Sequence, residues 1–97
     1  MKRLFISQPM KGKTDEEILA ERAAAIRAAE NYIEEEVEVI DSFFQGAELS
    51  PLECLGESLK LLAQADIAYF APGWNKARGC LIEHECAEQY GINHICA

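Results

Sequence analysis

The segment ARGCLIEHECA, residues 77–87, carries a carboxylate in an apolar setting. Glu83 stands beside Leu81, Ile82 and Cys86, bordering the Ile82–Cys86 stripe of a predicted helix on the side of Ala87 and Tyr90. Helical side chains lean toward the N-terminus, so this carboxyl is expected to point back at whatever precedes the helix. What precedes it is APGWNKARG, residues 71–79, with Lys76, Arg78 and no acid. A second loop, SQPMKGK, residues 7–13, adds Lys11 and Lys13, again without an acid. Together the two loops hold four of the chain's nine bases and none of its seventeen acids. A carboxylate behind such a rim can serve as a nucleophile, as a base, or as a charge facing a cationic sugar transition state. The rim suits a phosphate or sugar phosphate, helped by the N–H groups of the helix that each loop precedes.

Each of these residues also has a plainer reading. Glu83 can be a first-turn partner of the helix dipole, with Glu85 and Glu88 as solvated companions, and the lysines can be ordinary loop residues. Neither loop is a Walker A or a G-x-G-x-x-G sequence. Trp74 either stacks on a nucleobase or plugs the end of a sheet. Asp41 closes a predicted strand near the same rim, where it orients a hydroxyl, donates a proton or only ends the strand. Asp66 opens the next strand at the opposite end and is read as structural. His84 is placed on the polar side of its helix and His94 in the last strand. Neither is read as having a partner at metal-ligand spacing, so no metal is assigned, and no cofactor is expected.

Positioning these groups falls to an alternating series of elements. RLFIS (3–7), VEVID (37–41), DIAYFA (66–71) and INHICA (92–97) are short apolar or β-branched runs that read as strands. Thr14 and Glu17 form a capping box ahead of a helix with Ile18, Ala25, Ile26, Ala29, Tyr32 and Ile33 at helical spacing. Ser50, Pro51 and Glu53 open a second helix whose face is marked by Leu52, Leu55, Leu59 and Leu62. A third runs from about residue 77 to Tyr90 and stops at Gly91. The order β-α-β-α-β-α-β predicts one α/β domain over residues 1–97: a three-layer open parallel sheet of four strands, order 2-1-3-4, with three helices, of the flavodoxin or Rossmann kind. The crevice is expected between strands one and three at their carboxyl ends, flanked by the two basic loops. Right-handed crossovers put the first helix on one face and the other two on the opposite one. One helix leaves part of its face bare beside strands three and four, which predicts a homodimer or a larger closed oligomer.

The totals narrow the partners. A net charge of −8 excludes non-specific binding to nucleic acid or an anionic membrane, so any anion site is local. No apolar run reaches the roughly 18 residues of a membrane span, and MKRLFISQPM is too short in its apolar part for a signal peptide. Cys54, Cys80, Cys86 and Cys96 form no C-x-x-C pair and read as free thiols in a reducing, cytoplasmic setting.

LFISQPMKGK, LLAQADIAYFAPGW and ARGCLIEHECAEQYGI resemble the nucleoside 2-deoxyribosyltransferase-like superfamily, in order and over nearly the whole chain. The likeness is nearest to its small, mostly uncharacterised phage and bacterial branch. Its most specific part is a strand, a Gly-Trp loop (Gly73, Trp74) and then Gly-x-x-x-Glu-x-x-x-Ala, here Gly79, Glu83 and Ala87. The resemblance implies cleavage or transfer of the N-glycosidic bond of a deoxynucleoside or its 5′-monophosphate, with Glu83 as the catalytic carboxylate; the position of Asp41 beside the rim makes it the one nearby candidate for a helper acid. The resemblance further implies that the loop Ser7, Gln8, Pro9, Met10, Lys11 and Gly12 lies against sugar and phosphate; the second loop flanking the crevice adds Gly73, Trp74, Arg78 and Gly79 as candidate contacts. The resemblance also implies a small-molecule nucleotide or nucleoside as partner and a dimer or higher assembly. The chain departs from the superfamily's pattern at three places, with Phe5 for a tyrosine, Ser58 for an aspartate and Ala77 for a serine. These departures raise an alternative, a non-catalytic binder of nucleotides or small phosphates on the same fold.

Overall fold

The computed structural model describes residues 1–40 and 49–97. The elements are β1 (Lys2–Ser7), α1 (Asp15–Ile33), β2 (Val37–Val39), α2 (Pro51–Leu62), β3 (Ile67–Phe70), a 3-10 turn (Trp74–Lys76), α3 (Arg78–Gln89) and β4 (His94–Cys96). All strand pairs are parallel, and the order is β2-β1-β3-β4, as expected. β1 lies at the centre, with Lys2 opposite Val37 on one side and Ser7 opposite Phe70 on the other.

The two-residue period of the strands divides the core into two layers. Leu4, Ile6, Ile67, Tyr69 and Ala71 point to one face, where they meet Ala25 and Ala29 of α1. Phe5, Ala68 and Phe70 point to the other, with Leu62 of α2 and Ala87 of α3. Small residues on α1 let that helix sit close to the sheet. The larger Phe5 and Phe70, both almost fully buried, fill the space under α2 and α3. The crossover rule therefore holds for all three helices.

Local signals account for the helix ends. Thr14 accepts a hydrogen bond from the Glu17 N–H, and the Glu17 side chain accepts one from the Thr14 N–H. Ser50 and Glu53 repeat the device at α2, with Pro51 in the first turn. α3 gives way to Gly91, whose φ of 69° suits a residue without Cβ. Asp66 has the structural role expected of it: its carboxylate accepts from the Arg3 N–H at 2.8 Å, at the end of the sheet away from the basic loops.

Elsewhere the fold departs from the sequence pattern. β2 ends at Val39, although the Ile40 N–H still donates to the Leu4 carbonyl at 2.8 Å; Asp41 lies outside the described residues. The leucine face of α2 is buried only at its far end, since Leu62 is enclosed and Leu52 is 76% exposed. Likewise Tyr32 of α1 faces outward. The bare face is also smaller than predicted. Ile67, Tyr69 and Ala71 are covered, because α1 reaches β3 as well as β1 and β2. Among the described residues of that face, Ile95 on β4 remains half-buried at the edge. Among the described residues, no helix is long and apolar enough to cross a membrane.

Candidate functional site

The carboxyl ends of β1 and β3 lie side by side, and the chain leaves them in two loops. Ser7 closes β1, and its carbonyl accepts from the Ala71 N–H at 2.9 Å just beyond β3. The loops then touch: Gly73, at φ 87°, places its Cα so that a Cβ would lie 3.6 Å from Pro9 Cγ. Glycine is needed there for the left-handed turn that brings the second loop against the first.

Glu83 projects into this junction from α3. It belongs to the buried line of that helix, Cys80–Glu83–Ala87, and is only 7% exposed. Of the expected Ile82–Cys86 stripe, Ile82 is exposed, as are Leu81 and Tyr90, while Cys86 is half-buried against the core. Pattern reasoning turns the apolar residues inward and leaves the acid at their border. The fold instead buries the acid, because a partner is waiting for it. The Ser7 hydroxyl donates to Glu83 Oε1 at 2.6 Å, a short charge-assisted bond. Burial pushes the Glu83 pKa up from the usual glutamate range, while hydrogen bonds from Ser7 and then Ser58 oppose the rise. Cys80 sits in the same cluster. Burial raises its thiol pKa, Ser7 lowers it, the Glu83 charge raises it and Lys13 lowers it. Glu83 is also beyond the first turn of α3, so it is not a dipole partner at the helix start.

Two adjoining hollows meet here. One, of about 290 Å³, is lined by Glu83 and Ser58 with Gln8, Pro9, Gly79 and Cys80 among its walls. The other, of about 540 Å³, carries Lys11, Lys76 and Arg78. They share Pro9, Ala77 and Gly79 as a common border. At that border α3 begins with no side-chain cap and no acid in its first turn, so its leading N–H groups remain available to an anion. The expectation that both loops offer a free helix dipole fails for the first. α1 is closed by its capping box and by Asp15, Glu16 and Glu17.

The sequence-predicted residues divide accordingly. Ser7, Glu83, Gln8, Pro9, Lys11, Gly73, Arg78 and Gly79 come together. Gln8 also straps the loop to α1, its amide donating to the Ile18 carbonyl and to Glu21. Lys13 leaves the rim to pair with Glu21 at 2.6 Å. Met10 and Gly12 shape the turn before α1, where the Lys13 N–H donates to the Met10 carbonyl and Gly12 takes φ 80°, and they line neither hollow. Trp74 stacks on His84, with ring centres 4.1 Å apart, and leans on Phe70, so it plugs the sheet end instead of facing the cavity. His84 is therefore not on a polar face. It packs edge-on to Phe70 because α3 lies over the β3–β4 edge. Ser58, Cys54 and Cys80 line the Glu83 cavity without having been assigned to it from sequence, and Lys76 joins the cationic wall. Ser58 carried a signal, as the place where the resembling superfamily has an aspartate.

A family model described as Domain of unknown function (DUF4406) matches residues 2–96. The chain belongs to this family. Comparison with curated proteins and with solved structures gave no match. In this DUF4406 domain the buried carboxyl has a consequence for stability. A folded-state pKa above the unfolded one adds stability at low pH, which is lost as pH rises through the folded value. Gln at position 83 has no proton to lose. The stability of Glu83→Gln relative to wild type is therefore expected to grow as pH rises from about 4 toward 8, the span above an ordinary glutamate pKa. Urea unfolding at several pH values checks this, and a difference independent of pH contradicts it.

Proposed function

We propose that the chain processes a nucleotide-like N-glycoside, with Glu83 as the reacting carboxylate. The observation that supports this best is the shared border: a buried, serine-held carboxyl on one side, and Lys11, Lys76, Arg78 and an uncapped helix start on the other. A 5′-phosphate on the cationic side would set the sugar's anomeric carbon toward Glu83. The carboxylate oxygen then bonds to that carbon as the C–N bond breaks, and the electron pair leaves with the base. Water, or a second base, displaces the carboxylate and restores it. Ser7 fixes the carboxyl plane for the attack. Exclusion of water decides between transfer and hydrolysis. A second copy against the β4 edge is part of the same proposal.

The alternative, a non-catalytic nucleotide binder, is favoured by a specific observation. Phe5 lies in the core at 1% exposed, with no hydroxyl to offer the cavity where the resembling enzymes have a phenol. Incubation with a panel of deoxynucleosides and their 5′-monophosphates separates the two. The enzyme reading expects free base to appear and at least about a hundredfold less with Glu83→Gln. Binding without conversion moves the assignment to the binder.

The open start of α3 makes both readings answerable at one residue. Ala77 has the extended backbone of an N-cap, at φ −111° and ψ 125°. Ala77→Asp should cap the helix and add about 1 kcal/mol of stability. The same carboxylate would fill the anion position and weaken binding of inorganic phosphate. A variant that is stabilised yet binds phosphate as wild type does contradicts an anion site at this helix.

A further inference from the structure

On the far side of the Trp74 plug, α3 and β4 bring together three groups that the proposed chemistry does not use. His84 and Glu88 are four residues apart on α3, hence on one side of the helix. His94 is added by the pairing of β4 with β3. Their ligand atoms all lie within 4.8 Å of one another. Glu88 Oε1 is 3.5 Å from His84 Nε2 and 4.0 Å from His94 Nε2. We propose that His84, Glu88 and His94 form a binding site for one divalent transition-metal ion, of which zinc is the natural occupant.

The rings are oriented for it. His94 Nδ1 lies 2.8 Å from the Ile92 carbonyl. A carbonyl only accepts, so Nδ1 carries the proton and the Nε2 lone pair faces the cluster, the arrangement found behind metal-bound imidazoles. His84 is clamped by Trp74, at an interplanar angle of 21°, and stands edge-on to Phe70. His94 also stands edge-on to Phe70, and the two imidazoles lie 5.1 Å apart at 85°. Packing thus limits both rings, whose side chains are only 17% and 21% exposed. Glu88 is more than half exposed and free to adjust. Zinc holds nitrogen ligands at about 2.0–2.1 Å, which places tetrahedral ligands about 3.3 Å apart. Glu88 must draw in by less than an ångström, which its exposed side chain can supply, and the two imidazoles must close from within 4.8 Å by small turns of their rings.

The donor set selects the ion class. Two imidazoles and one carboxylate suit zinc, cobalt or nickel and disfavour calcium and magnesium, which take oxygen ligands. Three protein ligands leave a fourth position for water. Bound there, an ion would tie the three-residue edge strand β4 to α3, independently of what happens at Glu83.

The single tryptophan supplies the readout, since it stacks directly on a proposed ligand. Chelator-treated protein is titrated with Co²⁺, and Trp74 emission and cobalt absorption are followed. Zn²⁺ is then added in competition. The expected result is one ion per chain, quenching by cobalt, recovery on adding zinc, and affinity at least about tenfold weaker in both Glu88→Gln and His94→Gln. Glu88 is exposed, so its substitution leaves the fold intact, and circular dichroism without metal checks His94→Gln. No binding below about 100 µM overturns the proposal. So does binding that persists in both variants with thiolate-to-cobalt absorption, which would assign the ion to the free cysteines.

Discussion

One carboxylate inside the mouth of a parallel sheet constrains the rest of this molecule. An ionised carboxyl taken out of water loses several kcal/mol of solvation unless its oxygens are satisfied. Glu83 meets that demand through Ser7, a residue 76 positions away at the end of the central strand. The contact joins α3 to β1 across the sheet's mouth. It depends on β1 and β3 being neighbours, since Ser7 opposes Phe70 and α3 follows from β3. It also depends on Ala87, one turn further along α3, being small enough to let the helix down onto the phenylalanines below. Strand order, helix side and residue size all converge on the position of one pair of oxygens.

The helix starts divide in a way that matches the site. α1 and α2 are each sealed by a hydroxyl and a glutamate from their own sequences. α3 is left open, and it is the helix whose start faces Lys11, Lys76 and Arg78. In a chain of net charge −8, that open start with its cations forms a local exception to the prevailing field. Lys13 is withdrawn from it by Glu21, so the cationic wall is formed by Lys11 before α1, Lys76 in the 3-10 turn and Arg78 at the start of α3. Separation of the two hollows by Pro9, Ala77 and Gly79, two of them small, keeps the cations near the carboxyl without pairing with it. A direct ion pair there would have held the Glu83 pKa down instead of letting burial raise it.

Much of the architecture was legible in sequence because it rests on local signals. Two capping boxes, a proline in the first turn of α2 and the terminal Gly91 mark element ends through chemistry confined to a few residues. The alternating order then leaves few topologies, and 2-1-3-4 is among them. The site was only half legible. Acid-free loops identified the rim, but the depth of Glu83 did not follow from its neighbours, since apolar patterning assumes that a charge seeks water. Its burial is compensated by the Ser7 hydroxyl, which lies 76 positions away in sequence. The same holds for Trp74, His84 and His94. His84 and Glu88 stand four residues apart, a spacing that carries no metal reading by itself, and the third member arrives only when β4 pairs with β3. Lys13 leaves the rim for a related reason: Glu21, half-buried on α1, captures its ammonium and also holds the Gln8 amide at the edge of the hollow.

The most direct test of the buried carboxyl is its own titration. Carbon-detected NMR of protein labelled at the glutamate side-chain carboxyl follows each glutamate separately, with Glu83→Gln supplying the assignment. The expected result is one resonance, missing from that variant, whose midpoint lies clearly above those of the other glutamates. A Glu83 resonance that titrates together with the exposed glutamates in the native protein would contradict burial against Ser7, and with it the site built around that contact.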